Sequence, residues 1–181
     1  MRVRFAILLG VAMIAQAPEA LAQQQSPPPT LAGVQCPVIA PPPARLSGWS
    51  NHFVKPGMVH SRELFRSDLA NLVPLKPHER ISYPVTPSIL KPKLYGGVYP
   101  LNITAADTYG VALGASGWVD VVQNGQIIHS VAGEAGPKCT GIHKIIYFNL
   151  QPGAYTVEIS NSRIRQVRML LVRGGPSSTQ K

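Results

Sequence analysis

Trp118-Val119-Asp120-Val121-Val122-Gln123-Asn124-Gly125-Gln126-Ile127-Ile128 is the stretch on which the reading of this chain turns. Asn-Gly between two β-type runs favours a type I′ hairpin, because both central residues must take positive φ. The spacing predicts one strand over 118–122 and its partner over 126–131. Side chains alternate across a strand, so Val119 and Val121 share a face and Asp120 lies on the other.

The same grammar extends outward. Upstream, 93–103 is extended and rich in aromatics, and 107–113 alternates before ending at Gly114. Residues 78–85 end at prolines and read as a short edge strand. Downstream, a Gly-rich loop over 133–141 carries Cys139, and strands are expected over 143–149, 154–160 and 166–172. Leu150-Gln151-Pro152-Gly153 is a second turn signal. In the strand over 154–160, Tyr155, Val157 and Ile159 point inward, while Thr156, Glu158 and Ser160 point outward. About eight short strands with turns roughly every ten residues make an all-β chain. The expectation is a single antiparallel β-sandwich or jelly-roll-like domain over 46–173. A disordered Pro-rich arm (23–45) precedes it, and a disordered tail (174–181) follows.

Between arm and strands the pattern is ambiguous. Leu46-Ser47-Gly48-Trp49 suits a buried Trp at the start of the fold. Residues 61–72 fit either a short helix or a strand and turn, since Pro74 and Pro77 cut the segment short.

The N-terminus carries an address. Met1-Arg2-Val3-Arg4, an apolar run over 5–17 and Pro18-Glu19-Ala20-Leu21-Ala22 are the three zones of a secretory signal peptide. Cleavage after Ala22 is expected, leaving Gln23 first. The run is shorter than the roughly 20 apolar residues of a spanning helix, and no later stretch supplies one. No transmembrane span is therefore expected after cleavage. Cys36 follows Gly33-Val34-Gln35, and the bulky Gln argues against lipidation there. The expected location is periplasmic or secreted. In an oxidising compartment Cys36 and Cys139 are expected to pair. The rival reading is a reactive thiol at Cys139 beside Lys138.

With 17 Lys and Arg against 8 Asp and Glu, the 181-residue chain has a formal charge of +9. Such a balance draws a protein to acidic lipid, polysaccharide or nucleic acid. No five like charges run together, however, which fits solubility as well and gives no specific nucleic-acid signal.

Motifs for chemistry are sparse. His129, Glu134 and His143 surround one loop, and two His with a carboxylate can hold iron, but their spacing matches no metal motif. No cofactor is expected. Gly114-Ala115-Ser116-Gly117 lacks the spacing of a serine elbow. Asp120, between apolar neighbours, fits a structural carboxylate that accepts backbone N–H groups. Tyr109, Trp118 and Tyr155 suit the core, whereas Tyr95 and Tyr99, beside Gly96-Gly97 and Pro100, suit an open face that could stack on sugars. Tyr95, Tyr99 and Asp120 are the candidate ligand-binding residues.

Tyr95-Gly96-Gly97, Asp107-Thr108-Tyr109, 117–122, Cys139-Thr140-Gly141-Ile142-His143-Lys144, 150–157 and Cys36-Pro37 resemble a small family of exported alphaproteobacterial proteins. No activity is established for that family. Some of its members are labelled homogentisate 1,2-dioxygenase in genomes. That enzyme is a longer cytosolic cupin whose iron sits on two His and a Glu in one motif. This chain is short, carries an export signal and lacks that spacing, so no catalytic residue carries over. The expectation is a non-catalytic exported protein that binds a carbohydrate or another envelope component. The alternatives are a metal-dependent enzyme and a structural accessory of an envelope complex using the Pro-rich arm.

Overall fold

The computed structural model describes residues 36–50 and 69–176. The expected signal peptide, the arm over 23–35, the ambiguous segment up to residue 68 and the end of the tail lie outside the described residues. Ten strands follow one another: β1 (Asn71–Pro74), β2 (Lys76–Pro77), β3 (Tyr95–Ile103), β4 (Asp107–Leu113), β5 (Trp118–Gln123), β6 (Gln126–Ile128), β7 (Ala132–Ala135), β8 (Lys144–Leu150), β9 (Gly153–Ser162) and β10 (Gln166–Arg173). Short 3₁₀ helices span Ala44–Trp49 and His78–Arg80.

The hairpin at Asn124-Gly125 is the innermost of a nested set. Asn124 (φ 50°) and Gly125 (φ 74°) both take the left-handed backbone that the turn requires. Around β5–β6 the chain pairs β4 with β8, then β3 with β9, then β1 with β10, all antiparallel. Pairing of β4 with β10 and of β5 with β9 rolls this long double ribbon into two five-stranded sheets. Their orders are β1-β10-β4-β8-β7 and β2-β3-β9-β5-β6. Apart from the short edge strands β2 and β7, this interleaving is that of a jelly roll, a form of antiparallel sandwich.

Alternation fills the space between the sheets. Tyr155, Val157 and Ile159 of β9 meet Tyr99, Leu101, Val119 and Val121 of their own sheet, and Val111, Phe148 and Met169 of the other. A second core lies on the outer face of the first sheet. There Leu46, Trp49 and Ala70 cover Ala112, Ile145, Tyr147 and Leu170. The Trp expected to be buried at 49 is buried, and its Nε1 donates to the Thr140 carbonyl at 3.0 Å. Burying each such large side chain contributes roughly 2–3 kcal/mol before entropy is counted. The described end of the arm is fastened to this layer. Cys36 is disulfide-bonded to Cys139, and Ala40 N–H donates to the Cys139 carbonyl at 2.7 Å.

Local assignments differ in four places. Residues 78–85 are not a strand: a 3₁₀ turn gives way to a non-strand strap running to residue 94. Pro84, Pro87 and Pro92 remove ladder donors, and the strap binds the sheet through side chains instead. The Gly-rich loop begins as an edge strand, β7, paired with β8. The strand after Asn124-Gly125 stops at Ile128 rather than at 131. Trp118 is outside the core, half-buried at the start of β5.

Candidate functional site

The outer face of the second sheet should be solvated on the alternation argument, yet Glu158 and Ser160 are 1% exposed and Asp120 is 5% exposed. The strap over 81–94 covers them. Asp120 stands directly opposite Glu158 on paired strands, a position that sets their Cβ atoms about 5 Å apart. Asp120 accepts Ser88 N–H (3.0 Å), Ser88 Oγ (2.9 Å) and Trp118 Nε1 (3.0 Å). Glu158 Oε1 accepts Val85 N–H at 3.3 Å, while Oε2 is buried without a hydrogen-bond partner among the described residues. Burial, reinforced by the charge of Asp120, holds the Glu158 carboxyl above the usual range. The two carboxyls pin the strap, Asp120 through three accepted hydrogen bonds and Glu158 through one.

His78 and Tyr83 anchor the strap's first part. His78 Nε2 accepts Asn161 N–H at 3.4 Å, which assigns the proton to Nδ1, 2.8 Å from the Tyr83 hydroxyl. That hydroxyl donates to the Ile159 carbonyl at 3.3 Å. Burial lowers the His78 pKa and pushes the Tyr83 phenol up to about 12. On the first sheet Lys144 is buried, with Nζ 5.9 Å from the Trp118 ring centroid. Desolvation lowers its pKa to about 8 against the opposing pull of Asp120.

The strap's last part meets the β9–β10 turn at one end of the sandwich. Asn161, in left-handed backbone (φ 58°), is the junction. Its Nδ2 donates to the Ile89 carbonyl at 2.7 Å and its Oδ1 accepts Lys91 N–H at 2.6 Å. Next along the chain, Ser162 Oγ accepts Ile164 N–H at 3.3 Å. Arg165 donates from Nε to the Tyr95 hydroxyl at 3.1 Å, with its guanidinium carbon 5.6 Å from that ring's centroid. Lys76, Arg80, Lys91, Lys93, Arg163 and Arg165 are thus exposed on the loops and strand ends of one pole, with Glu79 the one exposed acid there among the described residues. None of these six cations forms an ion pair with a described carboxylate. By contrast, Arg45 and Arg173 are paired, to Glu134 at 2.5 Å and Asp107 at 2.7 Å.

The residues singled out from the sequence are not brought together. Tyr99 is in the core and donates its hydroxyl to the Pro74 carbonyl, so it offers no open ring. Tyr95 is half-buried under Arg165, and Asp120 faces the opposite side of the sheet, beneath the strap. His129, Glu134 and His143 do not converge: among the described residues no three His, Cys, Asp or Glu side chains are grouped to hold a metal. Glu134 instead accepts from Arg45 and from the Tyr147 hydroxyl (2.6 Å), fastening the first 3₁₀ helix to β7 and β8. His129 is exposed, and His143 begins the approach to β8, where burial and then Lys144 lower its pKa. The cationic pole was hidden because its residues come from three separate segments. Its local signals were Lys91-Pro92-Lys93 and Arg163-Ile164-Arg165.

No protein-family model matches the chain, nor does any curated protein or solved structure. The Cys36–Cys139 bond is of the kind that persists in oxidising compartments. No helix among the described residues is long and apolar enough to cross a membrane.

Proposed function

We propose that this chain is an exported binding protein that attaches to an anionic component of the cell envelope through the pole where the strap meets the β9–β10 turn. The observation that carries this reading is the gathering there of Lys76, Arg80, Lys91, Lys93, Arg163 and Arg165, unneutralised by described carboxylates. Unpaired cations on one surface raise the local concentration of anionic partners, with an effect that fades as salt rises. The disulfide and the signal-like N-terminus support export. A carbohydrate partner, on this reading, is an acidic one held by charge rather than by stacking on Tyr99.

The test is retention of the purified protein on anionic envelope polymer and on anionic lipid, each presented separately, over a salt series. Retention should fall with salt. It should also fall when Lys91, Lys93 and Arg163 are changed together to Gln. Arg173→Gln, at the opposite pole and paired with Asp107, should leave retention unchanged. Equal retention of the triple variant and the parent would overturn the proposal.

A further inference from the structure

Three large apolar side chains stand among those cations. Ile89 is 38% exposed, Leu90 47% and Ile164 45%. They are not strays from separate surfaces. The Ile89 carbonyl is held by Asn161 Nδ2 and by Ser160 Oγ (2.9 Å), and Ile164 follows Asn161 by three residues around the turn tied through Ser162. Lys91 and Lys93 follow the first pair in the chain, and Arg163 and Arg165 flank the third. We infer that this pole docks on an anionic lipid surface, with Ile89, Leu90 and Ile164 entering the headgroup–acyl boundary and Lys91, Lys93, Arg163 and Arg165 meeting lipid phosphates. The inference rests on the proposed function and narrows its partner.

The occupant follows from complementarity of two kinds. A soluble acidic polymer satisfies the cations but offers no apolar phase to three branched side chains. An anionic bilayer offers both, and binding of this type scales with apolar area inserted plus attraction to the charged headgroups. The strap is a suitable carrier because its backbone is fixed from below. Ser88 is held by Asp120, and Ile89 and Lys91 are held by Asn161. The side chains at its crest therefore point outward without further ordering of the backbone, which limits the entropy lost on docking.

The experiment is partition of the whole purified chain onto vesicles of phosphatidylcholine alone or with about one third phosphatidylglycerol, beside binding to soluble polygalacturonate. Any contribution of the apolar N-terminal run is common to parent and variants, so their differences report the pole alone. An Ile89→Ser/Leu90→Ser/Ile164→Ser variant should lose about tenfold or more in partition to anionic vesicles. Its binding to polygalacturonate should be unchanged. Each Lys→Gln or Arg→Gln change at 91, 93, 163 or 165 should lower vesicle partition about fivefold. All seven altered side chains are exposed, and an unchanged melting curve confirms that each variant is folded. Two results would sink the lipid inference: full vesicle partition by the serine variant, or binding of the parent to the polymer with none to vesicles. In both cases the anionic-partner reading stands. If the charge variants bind vesicles and polymer as the parent does, both proposals fall.

Discussion

Lys144 carries its charge into a place where water is scarce, beside Trp118 and within the field of Asp120. Its pKa is lowered from 10.5 to about 8. A base whose folded pKa is depressed destabilises the fold wherever it must be protonated, so the cost is complete below about pH 8 and disappears as pH rises towards 10.5. Stability should therefore increase between pH 8 and 10. Lys144→Met keeps the volume and removes the charge; at pH 7 it should stabilise by roughly 1–3 kcal/mol in urea unfolding and remove that alkaline rise. A destabilised Lys144→Met protein at pH 7 would show that the ammonium has a favourable role. Glu158 behaves in the opposite sense. Its folded pKa is raised, so its favourable contribution is present below the ordinary carboxylate range and lost as pH rises through the folded value. Glu158→Gln keeps an acceptor for Val85 N–H and removes this loss, so its urea midpoint relative to the parent's should rise as pH climbs above the ordinary carboxylate range, with the contributions of His78 and His143 common to both proteins. A parent and variant with identical pH profiles would refute this account of Glu158. Neither behaviour is legible in the sequence, where Glu158 is merely an outward residue on an alternating strand; the strap, folded back from about 70 residues earlier, is what buries it.

At the scale of elements, the β5–β6 hairpin and the strap are built on opposite principles. The hairpin is local. Gly125 stands in left-handed backbone with open space around it, so Gly125→Ala should destabilise by about 1 kcal/mol through backbone conformation alone, with no steric clash. Denaturant unfolding checks this, and a loss of several kcal/mol would show that more than backbone conformation is at stake at the turn. The strap is non-local and rich in proline, and its attachment depends on a few side-chain acceptors. Asp120→Ala strands Ser88 N–H, Ser88 Oγ and Trp118 Nε1 together. It should cost about 2–3 kcal/mol and release the strap ahead of the sheets. Hydrogen exchange at Ser88 should then accelerate strongly while the β4–β8 ladder stays protected; uniform acceleration across both sheets would rule out a separately opening strap.

For the molecule as a whole, the nested pairing places most stabilising contacts between residues far apart in the chain, a topology whose closure entropy is large. The Cys36–Cys139 bond spans 103 residues and joins the layer over the first sheet to the loop before β8. Changing both Cys to Ser should lower stability by roughly 2–4 kcal/mol, chiefly by freeing the unfolded chain. Unfolding with and without reductant measures the same quantity, and coincident curves would exclude a stabilising role. Because the bond holds the segment that carries Leu46 and Trp49, its loss should first appear as increased exposure of Trp49 fluorescence.

Local chemistry was written in the sequence: the Asn124-Gly125 turn, the alternation of β9 and the all-β character follow from backbone sterics and side-chain period, which act over a few residues. The two cysteines and the compartment implied by the N-terminal pattern were also sufficient to expect their pairing. What tertiary structure alone decided was which polar face is covered and which charges meet. Asp120, Glu158 and Ser88 come together, Tyr99 goes inward, and Glu134 turns to Arg45 rather than to His129 and His143. The cations at 91–93 and 163–165 become one surface only when the strap crosses Asn161. Such juxtapositions depend on segments about 70 residues apart, and no local preference encodes them.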